Sequence, residues 1–84
     1  MASIDETLAI GMQHQQAGRW DGAERAYCQI LALHPTHPQA LHQLGTLRLQ
    51  TGNFAEAADL FRRTIEQDRS QAVCHVHLGE ALRH

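Results

Sequence analysis

The chain has 84 residues, enough for one small domain near the lower limit for a self-sufficient core. Its hydrophobic content of 43%, with six Gly and two Pro, is that of a globular protein and excludes a disordered or low-complexity reading. The formal charge of -2 comes from nine acids and seven basic residues, all arginine and scattered among the acids. That balance gives no basic footprint for nucleic acid, and no apolar run is long enough to span a bilayer. The N-terminal stretch from Met1 to Glu6 is acidic and has no signal-peptide core. Cys28 and Cys74 are therefore expected as reduced, small buried hydrophobes of a cytoplasmic protein and not as a disulfide.

The first predicted element opens at Ser3, where Ser3 and Glu6, three residues apart, make a capping box for free backbone N–H groups. Leu8, Ala9 or Ile10, and Met12 continue it at helical spacing to Ala17, and Gly18 ends it at no cost in a left-handed conformation. A second helix runs from about Trp20 to Leu33, with Ala23, Ala26, Tyr27, Ile30, Leu31 and Leu33 on its apolar side. Pro35 and Pro38 bracket a break, and Pro38 suits the first turn of the next helix. That third helix, from about Pro38 to Gln50, carries Leu41, Leu44, Leu47 and Leu49 and stops at Gly52. Asn53 and Glu56 open the fourth, which carries Ala57, Leu60, Phe61, Thr64 and Ile65 to about Gln67. Ser70 caps a fifth, from about Gln71 to the last residue. No stretch alternates strictly as a half-buried strand does. The expected fold is all-α, with neighbouring helices held antiparallel by short turns.

These elements repeat. Gly11, Gly45 and Gly79 are spaced by 34 residues, as are Gly18 and Gly52, Ala23 and Ala57, Tyr27 and Phe61, and Ile10, Leu44 and Leu78. A fixed period of this size is the mark of a repeat array. Glycine inside a helix costs about 1 kcal/mol relative to alanine. The cost is explained if a second helix crosses closely at Gly11, Gly45 and Gly79, with Ala23 and Ala57 as the facing small residues and Tyr27 and Phe61 filling the remaining volume.

The pattern resembles the tetratricopeptide repeat, a 34-residue helix–turn–helix unit that stacks into a superhelix. Its signature positions read Thr7, Ile10, Gly11, His14, Ala23, Tyr27, Ile30 and Pro35 in the first copy. In the second they read Leu41, Leu44, Gly45, Arg48, Ala57, Phe61, Thr64 and Arg69, and in the third His75, Leu78, Gly79 and Leu82. The resemblance implies an α-α superhelix of two and a half repeats in one domain, residues 1–84, with repeats at 4–37 and 38–71 and a half repeat at 72–84. No Trp stands at the first aromatic position of any copy, since Trp20 falls in a turn, and Arg69 replaces the closing proline.

Catalysis finds no support: there is no nucleophile elbow, phosphate loop or paired metal motif, so no catalytic residue, cofactor or resident metal is expected. Seven histidines raise the question of zinc, with His34/His37 and Cys74/His77 as two close pairs. His75 and His77, however, project about 200° apart on a helix, which favours surface and groove roles. In repeats of this kind the first helix of each pair lines a concave groove. The resemblance places Asp5, Leu8, Ala9, Met12, Gln15 and Gln16 there, then Gln39, His42, Gln43, Thr46, Leu49 and Gln50. Val73, Val76, His77, Glu80 and Arg83 extend it in the half repeat. Such an amide- and histidine-rich surface suits an extended peptide or a partner helix, and the expected function is a non-enzymatic interaction or assembly module.

Repeats that grip acidic chaperone tails use cationic and amide side chains at five groove positions, which here are Leu8, Met12, Gln43, Val73 and His77, so no binding of that kind is expected. The fifth helix lacks a following partner, and Leu78 and Leu82 on its open side are expected to drive homo-oligomer formation. A narrower resemblance joins His37 to Gly45 and His77 to Arg83 with repeats found ahead of bacterial glycosyltransferase domains of the O-linked N-acetylglucosamine transferase type. It implies that the chain is the substrate-recognition part of something longer. The asparagine ladder of those proteins is replaced here by Ala9, Gln43 and His77.

Overall fold

A computed structural model describes residues 3–67 and 79–83. Four helices follow one another: α1 (Ile4–Gln16), α2 (Trp20–Leu33), α3 (Pro38–Gln50) and α4 (Phe54–Gln67). Residues 79–83 are also helical, and no strand occurs among the described residues. Ser70, Cys74 and Leu78, expected to start and line the fifth helix, lie outside the described residues.

The ends of the helices follow from local chemistry. At α1 the Glu6 N–H donates to Ser3 Oγ at 3.1 Å, which is the Ser3 half of the expected capping box. Gly18 adopts φ 77° and Gly52 φ 84°. Behind each glycine the chain closes in the same way. The N–H groups of Gly18 and Arg19 donate to Gln15 O and His14 O, and those of Gly52 and Asn53 donate to Leu49 O and Arg48 O. These are paired Schellman closures, and each sets the next helix antiparallel. The start of α3 is less conventional. His37 is its N-cap, with Nδ1 accepting from the Ala40 N–H at 3.2 Å while Pro38 fills the first turn.

Helix α1 packs on α2, α2 on α3 and α3 on α4, and α1 also meets α3 along one face. The main core gathers Ala23, Tyr27, Ile30, Ala40, Leu41, Leu44, Leu47 and Leu60 with Leu8. A second cluster joins Ala57, Ala58 and Phe61 to Ala81, so the helical residues 79–83 lie against α4. The periodic glycines have a definite use. A Cβ on Gly11 would stand 2.6 Å from Tyr27 Cε1, and one on Gly45 would stand 2.7 Å from Phe61 Cε1. The aromatic ring of each second helix thus lies against the glycine of the first, and the ring itself is the close contact. Gly79 meets nothing within 4 Å among the described residues.

Three apolar residues depart from expectation. Ile10 is 46% exposed, whereas Leu44 at the same register is 7% exposed; α2 covers α3, and no described helix stands before α1. Leu33, expected on the apolar side of α2, is 73% exposed, and the same register position reads Gln67 in the next pair. Cys28, expected to be buried, is exposed.

Candidate functional site

The face shared by α1 and α3 carries a small depression of about 150 Å³ lined by Met12, Gln15, Gln16, Gln43 and Gln50. Its floor is tied into the core by two hydrogen bonds. The buried Tyr27 hydroxyl donates to Gln15 Oε1 at 2.7 Å, and Gln15 Nε2 donates to Gln50 Oε1 at 2.8 Å. Burial also pushes the Tyr27 phenol from its ordinary 10.0 up to about 12, so the hydroxyl stays protonated and remains a donor. Helices α1, α2 and α3 are thereby joined through one side-chain amide, and Gln15 is only 8% exposed.

The structure sorts the expected groove residues. Met12, Gln16, Gln43 and Gln50 come together around the depression. Leu8 does not: it is 9% exposed and belongs to the core with Tyr27 and Leu41. Leu49 is half-buried and packs against the cluster of Ala57, Phe61 and Ala81. Register along a helix puts both residues in the groove, but register does not record where a neighbouring helix already covers that side. Gln39 is exposed beyond the depression. His42 turns its ring toward Phe61, with centroids 6.0 Å apart and planes inclined at 51°. Thr46 donates its hydroxyl to His42 O at 3.1 Å. Glu80 is half-buried, while Val73, Val76 and His77 lie outside the described residues, as does Leu78. Leu82 is 59% exposed, while the adjacent Ala81 is buried against α4.

A second polar feature is absent from the sequence reading. Arg48 on α3 hydrogen-bonds Glu24 on α2 and pairs through Nε with Glu56 on α4 at 3.0 Å. The Glu24 bond raises the Arg48 pKa further, so the guanidinium is a permanent charge. Desolvation, with Glu24 nearby, pushes the Cys28 thiol up. The register holds a signal for this network: 34 residues on from Glu24 and Arg48 stand Ala58 and Leu82, an apolar pair in place of a charged one. A wider depression of about 410 Å³ lies beside Arg48, between Leu44 on α3 and Ala55, Asp59 and Leu60 on α4. Its polar side chains are already occupied by that ion network or exposed, whereas the smaller depression presents amides.

Of the histidines considered for metal, His37 spends Nδ1 on the α3 cap. His14, outside the two expected pairs, accepts from Arg19 Nε at 2.9 Å. Among the described residues no three His, Cys, Asp or Glu side chains gather as a metal-binding group. No described helix is long and apolar enough to cross a membrane.

Known proteins share this arrangement. The structure of a mutant O-GlcNAc transferase from Thermobaculum terrenum is similar over 98% of this chain, at 33% sequence identity and a TM-score of 0.90; this chain spans 17% of that one. The family model described as tetratricopeptide repeat matches residues 8–72. With ring-on-glycine packing recurring at one register and an α-α arrangement to match, this chain belongs to the tetratricopeptide repeat family.

Proposed function

We propose that this chain is a non-enzymatic protein-interaction module that holds an extended peptide or a partner helix on the face of α1 and α3. The observation that carries the reading is the amide-lined depression of Met12, Gln15, Gln16, Gln43 and Gln50. Glutamine offers both donors and acceptors, which matches the alternating N–H and C=O groups of an extended main chain. Gln39, His42 and Thr46 continue the same helix toward its start, and Glu80 with Val73, Val76 and His77 prolongs the surface in register terms. Partners on this reading are proteins and not nucleic acid or membrane, and the setting is a cytoplasm. A pull-down from native lysate tests it. The wild-type chain retains a partner that Gln43→Ala/Gln50→Ala loses; retention unchanged by that double variant defeats the reading.

A second reading places the module as the substrate-recognition segment of a longer glycosyltransferase-like protein. It is supported by the likeness to the O-GlcNAc transferase at 33% identity. A continuous reading frame that joins these repeats to a transferase domain favours it, and a stop codon after residue 84 removes it.

Self-association through Leu78 and Leu82 belongs to the same proposal, with Leu82 the exposed described residue of the pair.

A further inference from the structure

Among the differences between the two helix pairs, one involves two positions that touch. In the first pair Tyr27 and Gln15 meet through a hydrogen bond. At the same register the second pair has Phe61 and Leu49, and Leu49 packs on the cluster that contains Phe61. An apolar pair therefore satisfies the fold at these positions. The polar pair in the first is something more than packing, and it leads outward to a groove residue.

Its consequence is a fixed amide polarity. Among the described residues the Tyr27 O–H has Gln15 as its acceptor, so the Gln15 oxygen faces Tyr27 and its Nε2 faces Gln50. Turning the Gln15 amide over leaves the buried Tyr27 hydroxyl proton with no acceptor. Gln15 Nε2 in turn requires the oxygen of Gln50 on its side. The Gln50 Nε2 group, on the same planar amide, is then the half left to the depression that Gln50 lines. A free surface glutamine offers a donor or an acceptor equally; this one is oriented before any ligand arrives, which lowers the ordering cost of binding.

We propose that Gln50 is a specificity-determining residue of the groove, a preoriented N–H donor that selects a main-chain carbonyl oxygen of an extended peptide. Met12, exposed at the rim of the same depression, supplies a soft apolar wall for the side chain next to that carbonyl. This rests on the groove reading above and adds its polarity.

The probe is a set of dodecapeptides selected from a random display library on the wild-type chain. Their footprint is mapped by the side-chain amide signals of Gln16, Gln43 and Gln50. Gln50→Glu keeps an acceptor for Gln15 Nε2 and removes the outward donor, and about tenfold or greater weakening of a groove-bound peptide is expected. Tyr27→Phe with Gln15→Leu installs the combination already present in the second pair, so the fold is retained while Gln50 is released; about threefold to tenfold weakening is expected. Thioamide replacement along the peptide weakens binding at one position in the wild type and at none in Gln50→Glu. Groove-bound peptides with affinity unchanged by Gln50→Glu overturn this inference alone. Weakening by Gln50→Glu but none by the Tyr27/Gln15 double variant overturns the locking. Peptides that leave the three glutamine signals unmoved, or no peptide selected at all, overturn the groove reading together with it.

Discussion

Glycine and ring form the smallest unit on which this fold depends. At Gly45 the helix forgoes about 1 kcal/mol of propensity relative to alanine, yet a Cβ there would lie 2.7 Å from Phe61 Cε1, 3.0 Å from Cδ1 and 3.1 Å from Cζ. Phe61 is fully buried, so relieving the contact means moving a packed ring, and overpacking at roughly 1–3 kcal/mol outweighs the propensity gain. Gly45→Ala and Gly11→Ala are therefore expected to destabilise in urea melts. Gly79→Ala, with nothing within 4 Å among the described residues, is expected to be neutral or stabilising by up to about 1 kcal/mol. Tyr27 adds a pH dependence at the same scale. Its folded pKa of about 12 lies above the ordinary 10.0 because burial disfavours the phenolate. The stabilisation is complete below pH 10 and is lost as pH rises toward 12, by at most ~2.5 kcal/mol. Tyr27 is the only tyrosine, so phenolate absorbance reports it alone. Titration near 12 in the folded chain and near 10 in urea is expected. Tyr27→Phe should cost about 1–2 kcal/mol at neutral pH, through the lost acceptor pairing of Gln15, and should flatten the alkaline decline.

Between elements, the charged clasp at Arg48 is the term that differs from one interface to the next. Arg48 is mostly covered and joins α2 to α4 through Glu24 and Glu56. Glu56 is the more exposed acid and lies in solvent that screens it, so Glu56→Gln should cost little, under about 0.5 kcal/mol. Arg48→Leu leaves Glu24 without its partner, and Glu24→Ala leaves the guanidinium with one acid instead of two. Made together, the two changes reproduce the Ala58 and Leu82 combination of the next register. A double-mutant cycle should return a coupling of about 0.5–1.5 kcal/mol, with the double variant less destabilised than the sum of the singles; strict additivity would refute the clasp. The helices are legible in the sequence because their ends are written locally: Ser3 as a cap, Gly18 and Gly52 as left-handed stops, Pro38 in a first turn. The groove is legible in part. Met12, Gln16, Gln43 and Gln50 lie on one helical face and come together around the depression. Leu8, Gln15 and Leu49 share that helical face but are drawn inward by Tyr27 and by the α4 cluster, a tertiary effect that periodicity does not contain. The Arg48 clasp escapes the helical period for the same reason, since its two acids come from helices on either side; its mark in the sequence is the change to Ala58 and Leu82 one repeat on.

For the whole molecule, the decisive surfaces are the two ends of the stack. Position in the stack, and not residue type, sets burial: Ile10 and Leu44 occupy one register, yet the first is exposed and the second is covered by α2. At the other end Ala81 is buried against Ala57, Ala58 and Phe61, and Leu82 faces outward. Ile10 and Leu82 are thus large aliphatic side chains left exposed at the two ends of the described helices. Covering one such side chain yields roughly 1.5–3 kcal/mol when burial is complete, and apolar end faces of repeat proteins associate unless capped. An association of copies through the residue 79–83 segments covers Leu82 in both chains at once, because a two-fold contact uses the same patch twice. Light scattering coupled to size exclusion at about 100 µM reads the outcome. A mass above the 9.4 kDa of one chain is expected, with reversion to that mass in Leu82→Glu and no reversion in Ile10→Glu. Reversion in Ile10→Glu alone would move the contact to the α1 end. A 9.4 kDa species in the wild type, unchanged by either substitution, would defeat self-association.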